Sequence, residues 1–424
     1  MLRILVVLPL YGGSLSVGRY SVMGLREAGC LVDVFEAPSF HSAFEALKEL
    51  RISSERLDSL QNSFLQNISQ AVLAKVESFE PDLVLCLAQA PMSRMALKRL
   101  RKEGIPTAMW FVENFRLFTY WRAFAPYYDL FAVIQKEPFV QELSRIGVNN
   151  VLYLPLAAEP SVHRPLDLSP EEQKEFGAEV SFMGAGYPNR RRAFSQMVRQ
   201  DPELAGAMKI WGTEWEEESS LIPLVQRGGA RVSTEDCVRI YNATEININL
   251  HASVRDDCFV SGEDFVNPRT FEVAACGAFQ LADERSLMAE LFKPGELATF
   301  SNLESLQEQI RHFRKHPEER KAMAARSRER VIAEHSYTAR MRSLLQFAEE
   351  RLPGLGKRKP VAWPEHMPEN MRSSVEELMR ELDLPPGAGF DDIICAVRSK
   401  SEKLSDVEAA LLFLDEWKKL YTKE

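Results

Sequence analysis

The stretch Asp264-Phe265-Val266-Asn267-Pro268-Arg269-Thr270-Phe271-Glu272-Val273-Ala274-Ala275-Cys276-Gly277 carries the strongest local signal in the chain. Asn267 is of the residue type that caps a helix start, Pro268 suits the first helical position, and Gly277 suits the stop after the last turn. The apolar runs Ile246–Leu250 before it and Ala278–Leu281 after it read as strands. Strand, polar loop, helix and strand in that order are the repeating unit of a parallel sheet. The first helical amides, at Arg269 and Thr270, have no intrahelical acceptors and sit at the positive end of the helix dipole. Such an end suits an anion, and a diphosphate fits it naturally. Glu272 follows Arg269 by three positions, so both side chains share a face. A carboxylate there can accept from ribose hydroxyls while Arg269 faces phosphate. Read blandly, the same residues make an ordinary capped helix with a surface ion pair, and the motif alone leaves the two readings even.

Outward from this unit the same alternation covers most of the chain. The spacing predicts strands over Ile4–Leu10, Leu31–Phe35, Leu83–Leu87, Thr107–Val112, Leu130–Ile134 and Val151–Leu154, with helical patterns at Gly18–Ala28, Met92–Lys102 and Pro138–Ile146. The prolines at 160, 165 and 170 break the pattern over Leu156–Lys174, which reads as a connection. A second alternation follows, with strands at Val180–Met183, Met208–Trp211, Ile246–Leu250, Ala278–Leu281 and Leu297–Phe300, then a helical run to Arg351. The expected fold is α/β, with two Rossmann-like doubly wound domains facing each other across a cleft. Ligands in such sheets sit beyond the carboxyl ends of the strands. The predicted limits are 1–160 for the first domain and 161–335 for the second. A helix at 336–354 is expected to pack back on the first domain, and 355–424 to form a linker and a small helical appendage. The appendage is amphipathic over Ser373–Leu382 and Phe390–Lys418, and suits packing, self-association or a partner protein.

Four other places carry chemistry on paper. Gly184, in Ser181-Phe182-Met183-Gly184-Ala185-Gly186, allows close backbone approach, and Arg190 and Arg191 after it offer bidentate donors to phosphate. It lacks the full dinucleotide fingerprint, and a glycine turn before a solvated basic helix explains it as well. Gly12 and Gly13 follow the first strand, where a substrate or a tight turn fits equally. Glu113 ends the Trp110-Phe111-Val112 strand and is a candidate base for an acceptor hydroxyl; as a helix cap it is equally well explained. His251 follows Ile246–Leu250 and is a candidate cleft residue, although a lone histidine is more often a structural one; His41 and His163 are weaker candidates. No arrangement suggests a zinc site or a serine triad.

Composition narrows the classes. Lys and Arg number 52 against 61 Asp and Glu, a formal charge of −9, which argues against a nucleic-acid footprint. The apolar start Ile4–Leu10 is too short for a membrane span. Six cysteines without ligand spacing, mostly in apolar runs, point to reduced thiols in a cytoplasmic protein.

Four stretches carry a family resemblance: Leu154-Pro155 to Glu159-Pro160, Phe182-Met183-Gly184 to Pro188-Asn189-Arg190, Tyr241-Asn242-Ala243 to Asn247-Ile248-Asn249, and Arg269-Thr270-Phe271-Glu272 to Gly277. Leu291 to Glu296 also fits. In order and spacing the chain resembles GT-B glycosyltransferases of the group 1 type, particularly the CgeB-like (spore-maturation protein) group, over about residues 150–340. The resemblance implies a nucleoside-diphosphate sugar donor, a UDP-sugar first, held by the second domain, with a glycan or protein acceptor against the first. It implies no metal and no other cofactor, since helix amides and cationic side chains offset the leaving diphosphate. Related retaining enzymes have two glutamates separated by seven residues; Glu272 matches the second, while Asp264 stands at the first. Trp211 falls in the region that meets the nucleobase, where a core tryptophan is an equal reading. The same fold also admits a sugar-nucleotide epimerase or a non-enzymatic scaffold.

Overall fold

The computed structural model describes residues 1–253, 259–260, 262–356, 369–385, 388–400 and 402–421. Cys258 and most of the expected linker at 355–369 lie outside them. The chain forms two compact units. One comprises Met1–Val133, Glu137–Leu154 and Met341–Glu424; the other comprises Ile134–Lys136 and Pro155–Arg340. The chain thus leaves the first unit directly after its last strand and re-enters it within the helix Tyr337–Arg351.

The first unit is built on six parallel strands: β1 (Arg3–Val7), β2 (Leu31–Phe35), β3 (Leu83–Leu87), β4 (Thr107–Phe111), β5 (Leu130–Val133) and β6 (Val151–Tyr153). Their order is β2-β1-β3-β4-β5-β6. Strands β1, β3, β4 and β5 are buried along their whole length, which explains why they read as unbroken apolar runs rather than alternating ones. Trp110 of β4 is fully enclosed, and its indole N–H donates to the Leu154 carbonyl at 3.1 Å. The chain steps from β1 outward to β2 and then back past β1 to β3. Gly12 and Gly13, after β1, and Gln89, after β3, therefore lie at the point where strand order reverses.

Several elements differ from the sequence expectation. Pro9 and the turn after it end the first strand at Val7, and the following helix begins at Ser14 rather than Gly18. A 26-residue helix, Ser54–Phe79, has no counterpart among the expected elements; its buried residues, Ile68, Val72, Leu73, Val76 and Phe79, lie in its second half, with Phe64 and Leu65 partly buried before them. The Leu156–Lys174 connection contains the start of a short helix, Pro170–Phe176, closed by a capping box between Ser169 and Glu172. The expected helix over Phe390–Lys418 is two, Phe390–Ser399 and Asp406–Tyr421. Together with Glu369–Glu381 they surround a small core of their own, against which Leu31 of β2 packs. The buried guanidinium of Arg3 in β1 donates to Asp392 Oδ1 at 2.9 and 3.1 Å, joining that core to the sheet.

The second unit repeats the plan with β7 (Ala178–Met183), β8 (Met208–Trp211), β9 (Thr244–Asn249), β10 (Gln280–Asp283) and β11 (Ala298–Phe300), all parallel in the order β11-β10-β9-β7-β8. Its reversal falls between β7 and β9. Among the described residues no helix is long and apolar enough to cross a membrane.

Helix Ser14–Glu27 crosses the first sheet at Gly18. A Cβ there would come within 2.5 Å of Leu8 Cδ2 and 3.3 Å of Leu87 Cγ. Both leucines are fully buried and have no room to retreat. Gly18→Val should destabilise the chain by about 1–3 kcal/mol in urea unfolding, the usual effect of overpacking; an unchanged midpoint would mean the helix can lift off the sheet freely.

Candidate functional site

The helix Pro268–Ala275 begins after β9 and a polar loop, on the carboxyl side of the second sheet. Its amino end is pinned by a lattice of side-chain amides. The Asn267 Oδ1 accepts from the Thr270 amide and the Thr270 hydroxyl, each at 3.1 Å. Asn249 Nδ2 donates to Thr270 Oγ1 at 2.9 Å and to Gln280 Oε1 at 3.1 Å, while Asn249 Oδ1 accepts from Asn267 at 2.8 Å. Gln280 Nε2 closes the set on the Thr270 carbonyl at 2.7 Å. The Thr270 amide, expected to meet an anion, is thus taken by the cap. The amide of Arg269, at the second helical position, has no acceptor within the helix.

Arg269 and Glu272 stand one turn apart on this helix. The Arg269 guanidinium lies 5.9 Å from the centroid of the Phe182 ring, and its Nε is buried with no hydrogen-bond partner. Burial works against its charge, but Tyr241 and Glu272 beside it more than offset this and hold it above the usual arginine range. Glu272 Oε2 faces the Tyr241 hydroxyl at 3.5 Å, and Oε1 faces His163 Nε2 at 3.9 Å. His163 Nδ1 accepts from the Glu159 amide at 3.1 Å, so in the neutral ring the proton sits on Nε2, toward Glu272. Tyr241 was not among the expected site residues, and His163 was only a weak candidate. Their signals were present in the Tyr241-Asn242-Ala243 stretch and just after Glu159-Pro160.

The remaining expected residues of this unit are placed differently. Arg190 is 5% exposed and spends its donors on main-chain carbonyls: Nε and Nη2 on Leu250 at 3.0 and 2.7 Å, Nη1 on Ala185 at 2.9 Å. Burial, helped by the nearby Arg269, pulls its pKa down to about 9. Arg191 donates to the Glu214 carbonyl at 3.1 Å and pairs with Glu217 at 2.5 Å. Both arginines knit loops together, which corrects the reading of them as phosphate donors. Gly184 has φ +150°, and a Cβ at Gly212 (φ +115°) would come within 2.5 Å of the Gly184 carbonyl. The two glycines let the backbones just beyond the parallel strands β7 and β8 approach closely, so their smallness serves the backbone itself. Trp211 is buried against Phe176, with ring centroids 5.9 Å apart, and belongs to a local core rather than to a base-binding surface. Asp264 accepts from Gln135 Nε2 at 3.0 Å and from the Lys136 amide at 2.8 Å, which fastens the segment after β5.

His251 is a bracket rather than a cleft residue, and this corrects its candidacy as a catalytic group. It is buried, its Nε2 accepts from the Asn267 amide at 2.8 Å, and its Nδ1 lies 2.6 Å from Asp283 Oδ1. The accepting Nε2 places the proton on Nδ1 and leaves the ring neutral. Arg285 pairs with the other Asp283 oxygen at 2.5 Å. In the first unit, Gly12 has φ +98° and Gly13 caps the helix Ser14–Glu27. Glu113, beyond β4, accepts from the Tyr120 hydroxyl at 2.8 Å and from the Gln89 side-chain amide. Burial raises its pKa, against those two hydrogen bonds. A cavity of about 670 Å³ adjoins Gln89 and Tyr120, and its wall carries Asn62, Gln66 and Gln70 from one face of Ser54–Phe79.

Burial holds the His251 ring down at about 4, against the pull of Asp283, and holds His335 down at about 4 as well, with Arg340 adding to the effect. An unfolded histidine titrates near about 6.5. The stability that these two neutral rings represent is complete above that value and is lost as pH falls toward 4. Unfolding at pH 5 should therefore take up about two protons, a slope near 1.4 kcal/mol per pH unit for each ring. Urea denaturation at pH 7, 6 and 5 reads this slope, and His251→Gln should halve it; an undiminished slope in that variant would reject the assignment.

Residues 190–346 match the family described as glycosyl transferase-like. The chain is 28% identical to the spore protein CgeB of Bacillus subtilis over 290 residues, covering 62% of this chain and 81% of that protein. Among solved structures it is similar to Anabaena HepE in complex with UDP-glucose (TM-score 0.57, 11% identity, 82% of this chain and all of that one). It is equally similar to the sucrose-phosphate synthase of Thermosynechococcus elongatus (TM-score 0.56, 13% identity, 82% and 99%). With two parallel-sheet α/β units, the chain has the GT-B fold, and residues 190–346 of it match the glycosyl transferase-like family.

Proposed function

We propose that this protein transfers a sugar from a nucleoside-diphosphate sugar, UDP-sugar first, to a glycan hydroxyl, with no metal in the reaction. The observation that carries the reading is the pair Arg269 and Glu272 at the amino end of a firmly capped helix. Arg269 keeps a buried Nε–H without an acceptor, and an unmade bond on a buried cation is expensive unless a ligand completes it. In this reading Arg269 and the helix dipole meet the diphosphate, and Glu272 accepts from the ribose hydroxyls. The charge that develops on the leaving diphosphate is then met by groups already in place. That HepE binds UDP-glucose supports a uridine donor in the same fold.

The acceptor reading rests on the first unit. The cavity beside Gln89 and Tyr120 offers uncharged amides together with the faces of Met92 and Phe124. Amides suit hydroxyl groups, and apolar faces suit the C–H faces of a sugar ring. Glu113 stands behind Tyr120 and Gln89 with a raised pKa, the direction that favours a base working near neutrality.

Arg269→Ala should weaken UDP binding in calorimetry by on the order of 1.5–3 kcal/mol, as for a lost charged hydrogen bond. Glu272→Gln should lose affinity for UDP and for the donor yet bind pyrophosphate normally; equal affinities for all three ligands would leave Glu272 a mere surface partner of Arg269. Incubation with a panel of sugar nucleotides should release free nucleotide slowly, and EDTA should not stop it. Interconversion of the sugars would favour an epimerase, and binding of none a scaffold.

Glu113→Gln should lower kcat by about 10²–10⁴-fold while donor KM stays put, the range for losing a general base. A kcat within twofold of the parent would remove Glu113 from the chemistry.

A further inference from the structure

The helix Leu303–Lys315 ends at His316, and Pro317 opens the helix Pro317–Glu334 immediately. Histidines 312 and 316 are one turn apart, so their rings come to one face, with centroids 4.1 Å apart and planes 21° from parallel. Glu319, in the first turn of the second helix, brings Oε2 to 2.8 Å from His312 Nε2. One ligating atom from each of the three residues lies within 4.8 Å of the other two, and all three residues are exposed.

The protonation of His316 can be read from its partner. Its Nδ1 lies 2.7 Å from the His312 carbonyl, which can only accept. Nδ1 therefore carries the proton and Nε2 keeps the lone pair. An imidazole whose other nitrogen donates to a main-chain carbonyl is oriented the way metal-binding imidazoles are. Two imidazole nitrogens and one carboxylate oxygen at a corner open to water form a donor set suited to zinc, with water as the fourth ligand.

We propose that His312, His316 and Glu319 bind a zinc ion, separate from the sugar-transfer site. The ion would clamp the corner between the two helices. The second helix also reaches the end of Pro268–Ala275, where Arg328 Nε donates to the Ala275 carbonyl at 3.2 Å. Zinc bound at the corner therefore stiffens the helix that backs Arg269 and Glu272.

The test uses the full chain, stripped of metal and free of any affinity tag, titrated with zinc alone. One ion should bind per chain and raise the melting temperature. His312→Ala and His316→Ala should each weaken binding by at least about tenfold, since losing a direct ligand costs no less than the 10–100-fold loss of an outer-shell partner. Glu319→Gln should weaken it too, whereas His41→Ala, at another exposed His–Glu pair, should not. Circular dichroism of the metal-free variants checks that they fold. Failure of the parent to bind zinc would overturn the proposal, as would parental affinity in the variant lacking both histidines.

Discussion

Everything on the carboxyl side of the second sheet depends on the hydrogen bonds that hold Asn267 in place. Its side chain caps a helix, its amide is held by His251, and its amide group interlocks with Asn249. His251 is held in turn by Asp283, and Asp283 by Arg285. Strands β9 and β10 thus reach the helix through a connected set of largely buried hydrogen bonds. Such networks give a single geometry because any partial rearrangement leaves a buried donor or acceptor unmade. Arg269 and Glu272 inherit that rigidity without contributing to it.

The buried charges of this unit divide into two kinds. Arg190 spends its donor nitrogens on main-chain carbonyls, and Arg285 is tied to Asp283 and to the Glu263 carbonyl; both organise loops. Arg269 is less buried than either, yet its Nε is enclosed without a hydrogen-bond partner. The contrast with Arg190, whose donors are all spent, is what favours Arg269 as the phosphate partner in the proposed reading. It also explains how a run of three arginines after a glycine turn can resemble a phosphate site and serve another purpose.

Most of the architecture was legible because buried parallel strands appear as short apolar runs between turn residues. The eleven strands each coincide with such a run, and the cap at Asn267, the proline at 268 and the stop at Gly277 fall where their chemistry requires. The half-exposed helix Ser54–Phe79 was missed although Leu57, Leu60, Phe64, Ile68, Val72, Val76 and Phe79 recur at helical spacing, because its first half is mostly exposed and polar. The site was legible in part. Arg269 and Glu272 follow from local helix geometry, whereas Tyr241 and His163 reach Glu272 from positions remote in sequence. The roles of His251, Asp264 and Trp211 were decided by which neighbours consume their polar atoms or faces, and no local pattern encodes that.

The Arg3–Asp392 pair has a consequence for how the chain is made. Its two partners are 389 residues apart. At about 5–20 residues per second, synthesis separates their appearance by roughly 20 to 80 s. For that interval the first strand, already able to pair with β2 and β3, has Glu80 within 3.9 Å of its guanidinium but lacks the closer carboxylate of Asp392. The early sheet must wait with one edge uncovered until the last helices emerge. During translation this fold is therefore vulnerable at its beginning for a reason that lies near its end.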